Sequence, residues 1–236
     1  MGPVALILLR HGESLGNLAR QRAYATSAEV IDIEGRDADV PLSQLGEQQA
    51  ESVGRWLAAQ PAGERPESVW ASPYVRAATT ATTAVRVGGL GLDVRLDERL
   101  RDRDLGVLDG LTWWGIAARF PAEADRKARL GKLYHRPPGG ESWADVALRV
   151  RSLLADLDHT EPGRRVLLVA HDAVILLVRF VCEGLTETAL METERETVPN
   201  ASVTRLVRPT GRGLWTLAGS NDTAHLDGDR DQPPTP

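Results

Sequence analysis

Two apolar runs in this chain end on a histidine. "LILLRH" carries Arg10 and His11 at its end, and "VLLVAH" carries His171. A third run, "SVWAS", ends at Ser72, with Arg76 shortly after it, and Asn17 follows His11 by six residues. Imidazole is the side chain whose ordinary titration falls near neutrality, so it can act as nucleophile, base or proton carrier. If the three runs are parallel strands of one open sheet, their carboxyl ends share an edge, and that edge is where such sheets bind ligands. Arg10, His11, Arg76 and His171 would then meet on one rim, and Asn17 could reach back as an amide donor. Two guanidiniums, two imidazoles and the N-termini of the following helices suit a phosphate or another tetrahedral anion. A lone histidine or arginine at a strand end is more often structural. Two such ends in one chain, one carrying both residue types, point to a site.

The remaining titratable residues signal less. His135, His159 and His225 lack such a position and read as surface or loop residues. No two of the five histidines have HxH or HxxxH spacing, so no metal site is signalled. Asp172 could in principle be a ligand, but it has no partners at metal-binding spacing. Cys182, the single cysteine, lies within the apolar run "VILLVRFVCEG" and reads as packing. "GGLGLD" lacks dinucleotide-loop spacing and precedes a strand instead of following one.

Strands must deliver these groups. The apolar run Val4 to Leu9 has the length and continuity of a strand buried on both faces. "SVWAS", "LDVRL" and "RRVLLVAH" read the same way, and "SVTRLV" and "LWTLAG" alternate like late, edge-type strands. Between them lie helices. Ser43 caps one with Gly46, Ala50, Val53 and Leu57 on one face. Ser72 with Pro73 at the first helical position opens a second, closed near Gly88. Thr112 to Phe120 is helical and stops at Pro121, and residues 121–133 form a charged helical segment. After the break at "RPPGGES", Ser142 caps a long helix with Val146, Val150, Leu153 and Leu157 inward, and "AVILLVRFVCEG" is a helix closed by Gly184. Residues 21–41 are polar and aperiodic, so they read as a long loop able to cap the pocket. Alternating strands and helices predict an α/β fold, with a three-layer α/β/α architecture and a mostly parallel central sheet. The expectation is one domain over residues 1–226 and a disordered tail over 227–236.

The totals agree with a single core. The chain has 236 residues, 42% of them hydrophobic, and a formal charge of −5. That charge argues against nucleic-acid and polybasic membrane partners. The longest apolar runs are too short to span a bilayer, and no secretory signal is evident. The expectation is a cytoplasmic protein with a small-molecule partner, no nucleic acid and no membrane; a homodimer stays open.

Taken together, "RHGES" with Asn17, "SPYVRAATTA" with Arg76, "LRDRDLGVLDG", "PPGGES" and "VAHD" resemble the motif set of the histidine phosphatase superfamily, the phosphoglycerate mutase-like enzymes. The resemblance runs in order from about residue 4 to about residue 222. It implies a phosphoglycerate mutase-like fold and a covalent mechanism without cofactor or metal. His11 would be the nucleophile, forming a phosphohistidine. Arg10, Asn17, Arg76 and His171 would bind the phosphoryl group. A carboxylic acid near Gly106 would protonate the leaving oxygen and then activate water. The relatives carry a glutamate four residues before that glycine, where this chain has Asp102. Glu98 is the alternative, and Asp104 is better suited to a turn. Ser14 and Glu141 are further candidate substrate contacts.

The resemblance leaves three readings: a phosphatase on a small phosphomonoester, a phosphoglycerate mutase, or a phospho-ligand binding module. Only 30 positions separate Gly110 from Gly140, and no mutase-like F-x-G-W segment follows Asn17. Both absences favour a phosphatase, and the filled catalytic positions disfavour a binding module. The basic segment Arg126, Lys127, Arg129, Lys132 and Arg136 reads as a solvated helix face; the sharper alternative puts Arg136 or Lys132 at the pocket mouth, selecting a second negative charge.

Overall fold

The computed structural model describes residues 1–229. Its strands are β1 (Ala5–Arg10), β2 (Ser68–Ala71), β3 (Val94–Leu96), β4 (Arg165–Ala170), β5 (Val203–Val207) and β6 (Thr216–Asp222). They form one sheet in the order β3-β2-β4-β1-β5-β6. β1, β2, β3 and β4 pair in parallel, and β5 pairs antiparallel with both β1 and β6. The register sets the site: Arg10 lies opposite Ala170, and Ala71 opposite Val169. The next residues, His11, His171 and Ser72, therefore leave the sheet side by side at its carboxyl edge.

Period-two alternation explains the continuous apolar runs. Leu6, Leu8, Val166 and Leu168 face one core, and Ile7, Leu9, Leu167 and Val169 face the other. The first core is closed by α6 (Trp143–Thr160) and α7 (Asp172–Glu183), the second by α2 (Gln44–Ala59) and α3 (Val75–Val87). The predicted stripes hold: Val53 and Leu57 of α2, and Val146, Val150, Leu153 and Leu157 of α6, are fully buried. Each such leucine contributes about 1.5–3 kcal/mol through apolar burial. Gly184 closes α7 in the left-handed conformation, as expected. Cys182 is a free, buried thiol that burial pushes up in pKa.

Several sequence expectations are corrected. Residues 21–25 belong to α1 (Leu15–Ala25), and the loop starts only after them. That helix buries only Ala23, so no apolar stripe announces it. Ser72 does not cap α3, whose N-cap is Tyr74 without a side-chain bond; its hydroxyl instead accepts from the Tyr74 amide, 3.2 Å away. The charged segment is α5 (Pro121–Tyr134), preceded by α4 (Trp113–Arg119), both as expected. His135 at its end is buried against Glu123, at 3.1 Å, and is not a surface residue. A short helix, α8 (Glu187–Glu194), was not anticipated. A 3-10 turn, Ala224–Asp229, includes the first residues of the expected tail; the rest of that tail lies outside the described residues. No helix among the described residues is long and apolar enough to cross a membrane.

Candidate active site

His11 follows β1 and is 3% exposed. Its Nδ1 lies 2.7 Å from the Gly12 carbonyl oxygen. A carbonyl can only accept, so Nδ1 carries the proton and Nε2 presents a lone pair. Burial, followed by His171, Arg10 and Arg76, holds His11 well below the ordinary histidine pKa; the Gly12 bond opposes this. The ring is therefore neutral near pH 7, as a nitrogen nucleophile must be. The turn behind it is fixed by glycine: a Cβ at Gly12 would come within 2.4 Å of the Gly46 carbonyl oxygen.

Two arginines flank the imidazole. Arg10 donates from Nη1 to the Val198 carbonyl at 2.5 Å and lies 3.9 Å from Asp172; its buried Nε makes no hydrogen bond. Arg76, in the first turn of α3, is 4% exposed. Its Nη1 donates to the Asp37 carbonyl oxygen at 2.6 Å and to Asp37 Oδ1 at 3.1 Å; its Nη2 donates to Asp37 Oδ2 at 2.9 Å and to Asp102 Oδ2 at 3.2 Å.

His171 is fully buried, and its ring centroid is 5.1 Å from that of His11. Nε2 pairs with the Ser72 hydroxyl at 2.9 Å. Nδ1 lies 3.4 Å from Asp102 Oδ2, out of line for a hydrogen bond, and has no other partner. Burial, then Arg76, Arg10 and Arg149, holds this imidazole well below its ordinary pKa too. Tyr74 packs edge-on against it, with centroids 5.2 Å apart, and its own ring lies under the Arg76 guanidinium.

The fifth group is Asp102, the residue that reaches both Arg76 and His171 from the loop after β3. The Arg103 amide donates to its Oδ1 at 2.8 Å and fixes the rotamer. Glu98 is exposed in a 3-10 turn, and Asp104 accepts from the Gly106 amide at 2.7 Å, a turn role. The loop is braced from below. Arg149 donates to the Arg99 and Asp102 carbonyls and to both oxygens of Glu141. Backbones meet without room for a side chain: a Cβ on Gly106 would stand 2.1 Å from the Pro138 carbonyl oxygen, and one on Gly140 would stand 2.6 Å from that of Asp104.

The structure thus gathers Arg10, His11, Arg76, Asp102 and His171. Asn17 stands beside them, its Oδ1 accepting from the Ser14 amide and from Asn200 Nδ2, which also donates to the His11 carbonyl. Other candidates are engaged elsewhere. Ser14 and Asn17 make the capping box of α1. Glu141 binds Arg101, Arg149 and the Asp104 amide, so it braces the loop that carries Asp102; burial pushes its pKa up, but these partners outweigh that and hold it low. Arg136 is an exposed partner of Asp145, and Lys132 pairs with Glu194. Neither basic residue contacts the cluster. Three contributors carried no signal in the sequence. Asp37 sits in an aperiodic segment, Tyr74 reads as part of a helix start, and Asn200, which donates to the His11 carbonyl at 3.1 Å, follows a proline far along the chain.

The described residues contain no group of three or more His, Cys, Asp or Glu side chains placed to hold a metal ion.

Comparison with known proteins adds the family. The histidine phosphatase superfamily (branch 1) matches residues 6–223. A protein of Salmonella paratyphi C named "Probable phosphoglycerate mutase GpmB" is 29% identical over 228 residues, 93% of this chain and 94% of its own. Mycobacterial glucosyl-3-phosphoglycerate phosphatase Rv2419c, solved with inorganic phosphate, is 31% identical with a TM-score of 0.73, covering 94% of this chain and 99% of its own. Bacillus stearothermophilus YhfR is 26% identical with a TM-score of 0.75, over 94% and 98% of the two chains.

Proposed function

The chain belongs to the histidine phosphatase superfamily, and from that premise we propose that it hydrolyses a small phosphorylated metabolite through a phosphohistidine on His11. The observation that carries this reading is the His11 ring, neutral by burial, with Nδ1–H on the Gly12 carbonyl, its centroid 5.1 Å from that of His171, and Arg10 and Arg76 near enough to lower its pKa.

In the proposed cycle Nε2 attacks phosphorus in line. The N–P bond forms, the ester P–O bond breaks, and the leaving oxygen takes the proton of the Asp102 carboxylic acid. Arg10 and Arg76 balance the charge on the equatorial oxygens, with the Asn17 amide and His171 as further donors. Phosphoryl transfer needs little beyond such positioning and neutralisation. Water then attacks phosphorus, Asp102 takes its proton, and the N–P bond breaks to release inorganic phosphate. No step calls for a metal or cofactor.

The second reading is transfer between hydroxyls of phosphoglycerate, supported by the name of the Salmonella relative. The two separate on substrates. The hydrolase should turn over p-nitrophenyl phosphate, resist EDTA, and release phosphate from 3-phosphoglycerate whether or not its bisphosphate is added. A mutase would isomerise 3-phosphoglycerate, stimulated by the bisphosphate, with little net release. Loss of activity on chelation, restored by a divalent ion, would overturn the charge-neutralising role given to the arginines.

A further inference from the structure

The phosphoryl seat is closed. His11, Arg76 and His171 are each less than 5% exposed, although a substrate must reach all three. The Arg76 Nη atoms that would grip a phosphate are already engaged, with three of their four hydrogen bonds going to Asp37 and the fourth to Asp102. A guanidinium offers one planar set of donors, and a carboxylate or a phosphate fills it in the same bidentate way. Asp37 therefore stands where a substrate oxygen pair would stand.

We propose that Asp37 is a built-in competitor for the phosphoryl seat, and that residues 32–38 form a gate opened when substrate takes Arg76 from it. This rests on the phosphatase reading above. Two features of the segment support it. First, Asp37 is 45% exposed while Arg76 is 5%, so the carboxylate comes from the solvent side. Second, the segment has few ties. One end is anchored by Thr112 and Ile31 amides donating to the Glu29 and Gly110 carbonyls, the other by the Leu15 amide on Pro41 and by buried Val40. Between these anchors, the backbone bonds among the described residues only close the 3-10 turn Asp37–Asp39, and Arg36 pairs locally with Asp39. The polar tie to the body is Asp37 on Arg76. Gly35, at φ +82° with open space around it, lies where the segment could swing.

Charge points the same way. Arg10 and Arg76 face Asp37, Asp102 and Asp172, while burial keeps both imidazoles neutral. A phosphate that takes the Arg76 Nη donors displaces Asp37, the partner of Arg76 that has no part in the proposed cycle and that lies on a poorly tied segment. An occupied seat lowers apparent affinity by the fraction of molecules that are open.

The test is competitive inhibition of p-nitrophenyl phosphate turnover by inorganic phosphate. Asp37→Asn keeps the size and removes the charge; its inhibition constant for phosphate should fall about tenfold. An unchanged or raised constant would overturn the inference, since a residue that merely positions Arg76 weakens binding when altered. The wild type supplies a second readout that needs no variant: amide hydrogen exchange over residues 32–38 should quicken when phosphate is bound, and unchanged or slower exchange counts against the gate. Absence of turnover in the wild type would sink the phosphatase reading and this inference together, whereas turnover with an unmoved constant sinks the gate alone.

Discussion

At the scale of the residue, the chemistry depends on which nitrogen carries a proton. The Gly12 carbonyl fixes Nδ1–H on His11, so the Nε2 lone pair, the proposed nucleophile, is left free by a backbone group that no side-chain substitution can remove. Asp102 is placed with similar economy, on Arg76 and 3.4 Å from His171 Nδ1. This supports Asp102 over Glu98 as general acid, since Glu98 is exposed in a 3-10 turn, away from the hydrogen bonds of Arg76 and His171. The expected outcome is that Asp102→Asn cuts turnover of an alkyl phosphate by about 10²–10⁴, the ordinary worth of general acid catalysis. It should cut p-nitrophenyl phosphate less, because that leaving group needs little protonation. If Glu98→Gln shows this dependence and Asp102→Asn does not, the role moves to Glu98. Arg10, His11, Arg76 and His171 were legible in the sequence because each lies at, or a few residues beyond, the end of an apolar run that reads as a buried strand. Asp37 and Asn200 were not, because contacts made by loops depend on where the chain returns and not on spacing.

At the scale of the element, rigid loops matter as much as strands. The loop that carries Asp102 and the "PPGG" turn meet backbone to backbone, with Gly106 at φ +54° and no room for a Cβ. Gly106→Ala should therefore destabilise by about 2–4 kcal/mol, combining left-handed strain with the clash, and should lower activity by shifting Asp102. Gly91 has a similar φ of +64° but open surroundings. Gly91→Ala should cost only the backbone term, about 1–2 kcal/mol. Urea denaturation of both variants checks this; equal losses would mean that the loop contact is soft. Capping was legible where an apolar stripe followed the cap, as for Ser43 and Ser142. It misled at Ser72, where the serine hydroxyl serves His171 instead. It left α1 half-seen, because a helix burying one alanine has no periodic signature.

At the scale of the whole molecule, one register decides the function. Parallel pairing of Arg10 with Ala170 and of Ala71 with Val169 brings residues distant in the chain to a single edge. The apolar runs made that sheet predictable, since strands buried on both faces need helices on both sides. The partners of the loops around the edge were not predictable, because they arise only once the sheet is built. The account as a whole turns on a covalent bond at His11. The direct measurement is a rapid quench during turnover of a phosphate-labelled substrate, followed by mapping of the label. The prediction is an acid-labile phosphoryl group on His11, absent from His11→Ala together with several orders of magnitude of activity. A label on another residue, or a His11→Ala protein that still turns over substrate at the wild-type rate, would contradict it.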